Sequence, residues 1–63
     1  MYIRFEKIPR KGEIVSVIDE TNKYLGDIDT IDLCDCINID KTFEEDGYTF
    51  FFADKKQLIK KLI

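Results

Sequence analysis

An Asp-Gly pair near the C-terminus constrains the fold of this 63-residue chain more than any other local feature. Asp46 and Gly47 stand between two runs rich in apolar residues in the segment TFEEDGYTFFFA, residues 42–53. Asp-Gly between such runs is typical of a two-residue β-hairpin turn, because both residues accept positive φ. The segment therefore predicts a pair of antiparallel strands, and both faces of the second strand are apolar enough for an interior position.

Three earlier segments also have the pattern of strands. MYIRFEK alternates apolar and polar residues, and EIVSVIDE is β-branched and apolar on both faces, which is typical of a central strand. KYLGDIDT predicts a third strand, with Gly26 marking a bulge or a close backbone approach. Pro9, Gly12 and Asn22 provide the turns between them. The predicted strands are residues 1–7, 13–19, 23–30, 34–40 and 48–53.

The last ten residues, DKKQLIKKLI, predict a helix over residues 54–62. Asp54 is a good N-cap, and Gln57 three residues later completes a capping-box pattern. Leucine and isoleucine form one stripe among four lysines. A helix this short is unstable alone, so its stripe must pack on the sheet.

Together these segments predict one small α+β domain, residues 1–63, that is mostly β: a small curled antiparallel sheet of about five strands, or an SH3-like barrel, with one C-terminal helix. The rhythm KGEIVSVIDE…YLGDI resembles the first strands of SH3-like small barrels. The composition, 44% hydrophobic and 13% aromatic, is that of a folded chain. A domain of this size has a thin core, and a homodimer would bury more surface.

The segment GDIDTIDLCDCINID, residues 26–40, leaves its own register open. If residues 31–39 form one strand, the isoleucines and Leu33 share a face with Asp35. If the strand begins at Cys34, both cysteines face inward and a bulge must precede Ile37. Cys34 and Cys36 would lie about 7 Å apart along a strand, at the far edge of disulfide geometry. We therefore interpret them as small packing residues.

Charge divides the chain into three parts. Residues 13–46 contain two lysines and eleven acidic residues, a net charge of −9, whereas each end carries +3. One interpretation is that the ends neutralise the middle on folding. The other is that an acidic surface remains exposed and attracts a cationic partner.

Catalysis and metal binding have little support in the sequence. The chain has no histidine for acid–base chemistry and no glycine-rich phosphate loop, and it has little volume for a substrate pocket. The spacing from Asp27 fails as a calcium loop at its glycine and glutamate positions. Two cysteines without histidine supply at most half of a zinc site. We therefore expect no enzyme activity, no metal and no cofactor.

No signal peptide or membrane-length apolar run is present, so we expect a cytoplasmic protein without a membrane partner. The leading hypothesis is a non-enzymatic protein-interaction module whose acidic surface docks a protein with a basic patch. A small phage or mobile-element inhibitor of a nucleic-acid-binding protein would act in this way. The alternative is a small-barrel nucleic-acid-binding protein that uses exposed aromatic residues with lysine and arginine. The predicted docking residues are Asp27, Asp29, Asp32, Asp35, Asp40, Glu44, Glu45 and Asp46.

Overall fold

The computed structural model describes all 63 residues and contains five strands and two short helices. All neighbouring strands are antiparallel, and their order across the sheet is β3-β2-β1-β5-β4. The predicted fold class, a mostly β domain with a curled antiparallel sheet, is confirmed, although β3 and β4 do not pair to close a barrel. In chain order the elements are β1 (Tyr2–Phe5), β2 (Ile14–Asp19), β3 (Tyr24–Asp29), α1 (Thr30–Cys34), β4 (Ile37–Glu45), β5 (Tyr48–Ala53) and α2 (Lys55–Lys61).

The structure differs from the sequence prediction at residues 30–45. The segment 34–40 was predicted as a strand, but α1 occupies Thr30–Cys34 and β4 runs from Ile37 to Glu45. The Asp29 carboxylate accepts a hydrogen bond from the Ile31 amide and so starts a helix where the alternating pattern indicated an extended chain. Thr30, Leu33 and Cys36 are the buried positions, a spacing of three that suits a helical turn.

Two predicted local features are present in the structure. Asp46 and Gly47 have φ angles of 53° and 82° and connect β4 to β5, so they form the predicted hairpin turn. Asp54 caps α2 by accepting a hydrogen bond from the Gln57 amide at 3.1 Å. Each feature depends on neighbours within three residues, which is why the sequence was sufficient to predict it.

Gly26 lies where the β2–β3 pairing changes register beside Val17 and Ile18. Its φ of 138° is unfavourable for other residues, and a Cβ at this position would lie 3.5 Å from the Leu62 Cβ. The predicted bulge and the predicted close approach therefore occur together. The approach lets the chain after α2 settle against the inner face of β3.

Both helices pack on one side of the sheet, the inner face. Leu33 from α1 and Leu58 from α2 are buried there against alternate residues of the strands. The Thr30 hydroxyl and amide both donate to the Glu13 carbonyl, which fixes the start of α1 beside β2. The buried core consists of Ile3, Phe5, Val17, Ile28, Leu33, Cys36, Phe51, Ala53 and Leu58.

The other side of the sheet, the outer face, has no helix over it. Cross-strand pairing places Tyr2 opposite Phe52, Arg4 opposite Phe50, and Phe43 opposite Phe50 on this side. At the β3 edge the same face carries Ser16 and Asp27, which pair with each other. The outer face therefore carries aromatic side chains from β1, β5 and β4, and the Ser16–Asp27 pair near β3.

Candidate functional site

Four of the eight predicted docking carboxylates are engaged within the protein. Asp27 accepts hydrogen bonds from the Ser16 hydroxyl at 3.0 Å and the Tyr24 hydroxyl at 2.6 Å. The Tyr24 bond stabilises the protonated phenol and raises the pKa of Tyr24. Asp29 caps α1. Both aspartates therefore form hydrogen bonds within the protein, and these bonds support the local fold.

Asp32 and Asp35 both face Lys61 of α2. The Lys61 ammonium lies 3.2 Å from the Asp35 carboxylate and 3.9 Å from that of Asp32. The hydrogen bond to Asp35 raises the pKa of Lys61. This cluster links the two helices, and it neutralises part of the acidic segment as the first interpretation of the charge pattern expected.

The other four predicted residues are exposed and form no ion pair, because the salt bridges of this structure all involve Lys61. Asp40 lies in a bulge of β4, where the register shifts between Asn38 and Thr42. Glu44 and Glu45 are the last residues of β4, and Asp46 is in the turn. The structure adds Glu6, which lines a shallow depression together with Glu44, Glu45 and Asp46. We call these four residues, Glu6, Glu44, Glu45 and Asp46, the acidic end.

The eight predicted residues do not share one surface. Asp27 is on β3 and Glu45 on β4, which are the two edges of the sheet and lie about 19 Å apart at ~4.8 Å per strand. Asp32 and Asp35 belong to the helical layer. The structure thus brings Glu44, Glu45 and Asp46 together and separates them from the remaining five.

A network of aromatic side chains covers the outer face of β1, β5 and β4. The Phe43 and Phe50 rings are stacked, with centroids 4.8 Å apart and an interplanar angle of 6°. The Tyr2 ring meets Phe43 and Phe52 edge-on, at 5.1 and 5.2 Å. Phe43 remains 41% exposed although it is a large apolar side chain. We call Tyr2, Phe43, Tyr48, Phe50 and Phe52 the aromatic face.

Two cations lie on rings of the aromatic face. The Arg4 guanidinium is 4.2 Å from the Tyr48 ring centroid and also donates a hydrogen bond to Asn22. The Lys41 ammonium is 4.9 Å from the Phe52 centroid. Such cation–π contacts hold the rings in place. They also position one positive charge beside Tyr48 and one beside Phe52.

Of the aromatic face, the sequence reasoning named Tyr2, Tyr48 and the Phe50–Phe52 run only for the alternative function, as candidate base-stacking residues beside Arg4, and not among the predicted docking residues. Tyr48, Phe50 and Phe52 alternate along one strand, and Tyr2 occupies the face opposite Ile3 and Phe5. The pattern shows which residues share a side, but not which side the helices cover. Phe43 was not named, although the predicted hairpin placed it on the strand before the turn, because the alternation around it is dominated by charged residues.

The cysteines do not form a reactive pair. Cys34 is exposed, whereas Cys36 is buried and its Sγ donates to the Asp32 carbonyl at 3.3 Å. Burial raises the pKa of the Cys36 thiol. Cys36 is therefore a packing residue, whereas the interpretation of Cys34 as a packing residue is wrong. The structure contains no group of three or more cysteine, aspartate or glutamate side chains arranged to hold a metal ion.

Comparison with known proteins yields no relative: no protein-family model, curated protein or solved structure matches this chain. Neither helix has the length and apolar character that crossing a membrane requires. The fold and the site together define a small open-sheet α+β domain with an uncovered aromatic face and an acidic end beside it.

Proposed function

We propose that this chain is a non-enzymatic protein-interaction module that binds its partner through the aromatic face and the acidic end. One observation carries the proposal: four aromatic rings form a continuous network on the sheet face that no helix covers, and Arg4 connects Tyr48 to it. Phe43 is exposed on this face, and the other four rings are half-buried. A domain with so small a core would ordinarily bury such side chains. Exposed aromatic clusters are typical of protein interfaces, whose binding energy concentrates in aromatic and arginine residues.

The ring geometry favours a protein partner over stacked bases. Phe43 and Phe50 stack on each other, Arg4 covers one face of Tyr48 and Lys41 covers one face of Phe52. Base stacking requires free ring faces, which these contacts reduce. Edge contacts from apolar side chains of a partner need no such faces, so the network suits a protein surface better.

The acidic end favours a positively charged partner. Glu45 lies opposite Tyr48 and therefore on the outer face at the border of the aromatic face. Glu6, Glu44 and Asp46 line the same depression, and no cation of the chain pairs with them. A partner with apolar side chains bordered by lysine or arginine would complement both features. The proposed partner is therefore still a protein with a basic patch, as the sequence hypothesis expected. The acidic surface that would bind this patch is now limited to one end of the sheet.

Several finer expectations belong to the same proposal. The module acts in the cytoplasm, and inhibition of a nucleic-acid-binding protein by a phage or mobile element is one role that suits a small acidic binder. The partner's basic patch would then be its nucleic-acid site. A homodimer would increase the small buried core.

Single-stranded nucleic acid is the second candidate ligand. Arg4 and Lys41 beside the aromatic face are the observation that favours it, since basic residues next to aromatic rings are typical of such sites. The acidic end opposes it, because carboxylates at the border of the face repel phosphates.

Selection from a displayed library of random peptides tests the proposal. We expect the selected peptides to combine apolar residues with lysine or arginine, and to shift amide NMR signals of β1, β5 and the hairpin. Phe43→Ser should abolish binding, whereas Ile59→Ser, at a 55% exposed apolar site on α2, should leave it unchanged.

Charge is tested by a second pair of variants. Glu44→Gln/Asp46→Asn should weaken peptide binding, and Glu13→Gln/Glu20→Gln, an equal neutralisation of exposed residues elsewhere, should not. Peptides without basic residues, or a shift map confined to the helices, would contradict the proposal. Tighter binding of a single-stranded oligonucleotide than of any selected peptide, lost in Lys41→Gln, would support the second candidate.

A further inference from the structure

The two edges of the sheet are not equally open. At the β3 edge, the Ile63 amide donates to the Asp27 carbonyl at 2.8 Å, so the chain after α2 occupies part of that edge. At the other edge, β4 is the longest strand of the sheet, and residues 38–45 are all exposed. An open strand edge presents unpaired backbone donors and acceptors to another strand.

The backbone groups that β4 presents can be assigned from the hairpin. Glu45 and Tyr48 flank a two-residue turn, so Glu45 and, two residues earlier, Phe43 direct their backbone groups towards β5. Thr42 and Glu44 consequently direct theirs towards the open edge. These two residues, separated by Phe43, present two N–H donors and two carbonyl acceptors to an antiparallel strand.

The side chains of β4 are self-complementary about Phe43. Lys41 contacts the Phe52 ring, and Phe43 and Glu45 lie opposite Phe50 and Tyr48, so all three side chains are on the outer face. In chain order, these three side chains are positive, aromatic and negative. A second copy running in the opposite direction presents the same three in reverse.

We propose that β4 pairs antiparallel with β4 of a second copy of this chain, with Phe43 opposite Phe43 and Lys41 opposite Glu45 at both ends of the contact. Thr42 and Glu44, whose backbone groups face the edge, then form the hydrogen-bonded pairs. Phe43 meets its equivalent in the closer, non-hydrogen-bonded type of pair. The two five-stranded sheets become continuous, and the two aromatic faces lie side by side.

Neighbouring registers are less favourable. A slip of one pair in one direction sets Glu44 against Glu44, and a slip in the other sets Asp40 against Glu44. The register centred on Phe43 brings like charges opposite each other only between Asp40, in the bulge, and Asp46, in the turn. Like charges directly opposite each other destabilise a strand pair, whereas opposite charges stabilise it. A slip by one residue would require the partner's side chains to point to the other face. The register centred on Phe43 is the one that pairs Lys41 with Glu45 twice.

The fold determines whether a second copy can reach the β4 edge and how strongly the two copies associate. The helices pack on the inner face over the buried residues of β1, β2, β3 and β5. Residues 38–45 of β4 are exposed, so residues 42–45 are accessible to a second copy at this edge. A contact of so few residues falls below about 1,000 Å² of buried surface, the range of weak and transient interfaces. We therefore expect dimerisation at high protein concentration.

Sedimentation equilibrium from about 10 µM to about 1 mM tests the proposal with charge-reversal variants. Lys41→Glu and Glu45→Lys each convert two attractive pairs into two repulsive ones, and each should weaken the dimer about tenfold. The double variant restores both pairs in reverse and should recover association. A mixture of the two single variants should form a heterodimer, since each supplies the charge that the other lacks.

Lys56→Glu is the matched control, because it makes the same charge change on an exposed residue of α2 and should dimerise as the wild type does. Circular dichroism checks that every variant is folded. A monomer throughout the concentration range overturns the proposal. So does a dimer that neither reversal weakens, or a double variant as weak as the single ones. Lys41→Glu retains all five rings of the aromatic face. A variant that loses the dimer but still binds the selected peptide therefore separates this proposal from the proposed function.

Discussion

Replacement of Asp29 tests whether the aspartates of the acidic segment serve the fold. The Asp29 carboxylate accepts the Ile31 amide proton across 2.9 Å at the start of α1. α1 has five residues and places Leu33, 2% exposed, in the core. Loss of an N-cap hydrogen bond costs about 1 kcal/mol. A domain of this length has a free energy of unfolding of about 3–9 kcal/mol.

Asp29→Ala should therefore lower the free energy of unfolding by about 1 kcal/mol, and the Tm by roughly 4–8 °C. Asp29→Asn keeps an accepting oxygen and removes the charge, so it should remain within a few tenths of a kcal/mol of the wild type. Thermal and urea unfolding followed by circular dichroism measure both changes.

Asp40→Ala is the matched control. The Asp40 carboxylate is exposed and forms no hydrogen bond or ion pair, so its loss should change the free energy of unfolding by less than about 0.5 kcal/mol. Equal destabilisation by Asp29→Ala and Asp40→Ala would refute the structural role. If Asp29→Asn were as destabilising as Asp29→Ala, charge rather than hydrogen bonding would be the cause.

Three further predictions follow from the same contacts. Leu58→Ala empties a fully buried position and should lower the free energy of unfolding by about 2–5 kcal/mol, which thermal denaturation would show as a lower Tm. With Ellman's reagent, exposed Cys34 should react at once and buried Cys36 only as fast as the chain opens, so Cys34→Ser should remove the fast phase. The Thr21 hydroxyl, followed by the backbone amides of residues 23 and 21, holds the pKa of Asp19 below its usual value of 3.8. The stability that Asp19 contributes is therefore present above pH 3.8 and lost as the pH falls through the lowered pKa. In Thr21→Val, NMR titration of the Asp19 carboxyl should show its pKa moving up towards 3.8.

Features of this fold that rest on contacts between residues close in sequence were predictable, and features that rest on distant contacts were not. The Asp46-Gly47 turn and the Asp54 cap were predictable because the groups involved lie within three residues of one another. α1 was missed for a related reason. Asp29 had the residue type of an N-cap, but the alternation of aspartate with apolar residues around it indicated a strand equally well.

The candidate site was less predictable than the fold. Glu44, Glu45 and Asp46 were identified and do lie together, but Glu6 joins them only because β1 pairs with β5. Asp32 and Asp35 were grouped with the docking residues, yet α2 brings Lys61 beside both carboxylates and pairs its charge with theirs. The contact joins residues more than 25 positions apart, which local patterns do not encode.

By itself, the sequence determined a small, mostly β chain with a hairpin, a capped terminal helix and two apolar sides on its central strands. Tertiary structure alone decided which of those sides became the core. Period-2 alternation sorts residues into two faces by backbone geometry, but burial depends on where the helices dock. Both helices are on the side of Ile3 and Phe51, and the aromatic face lies on the other side, which no helix covers.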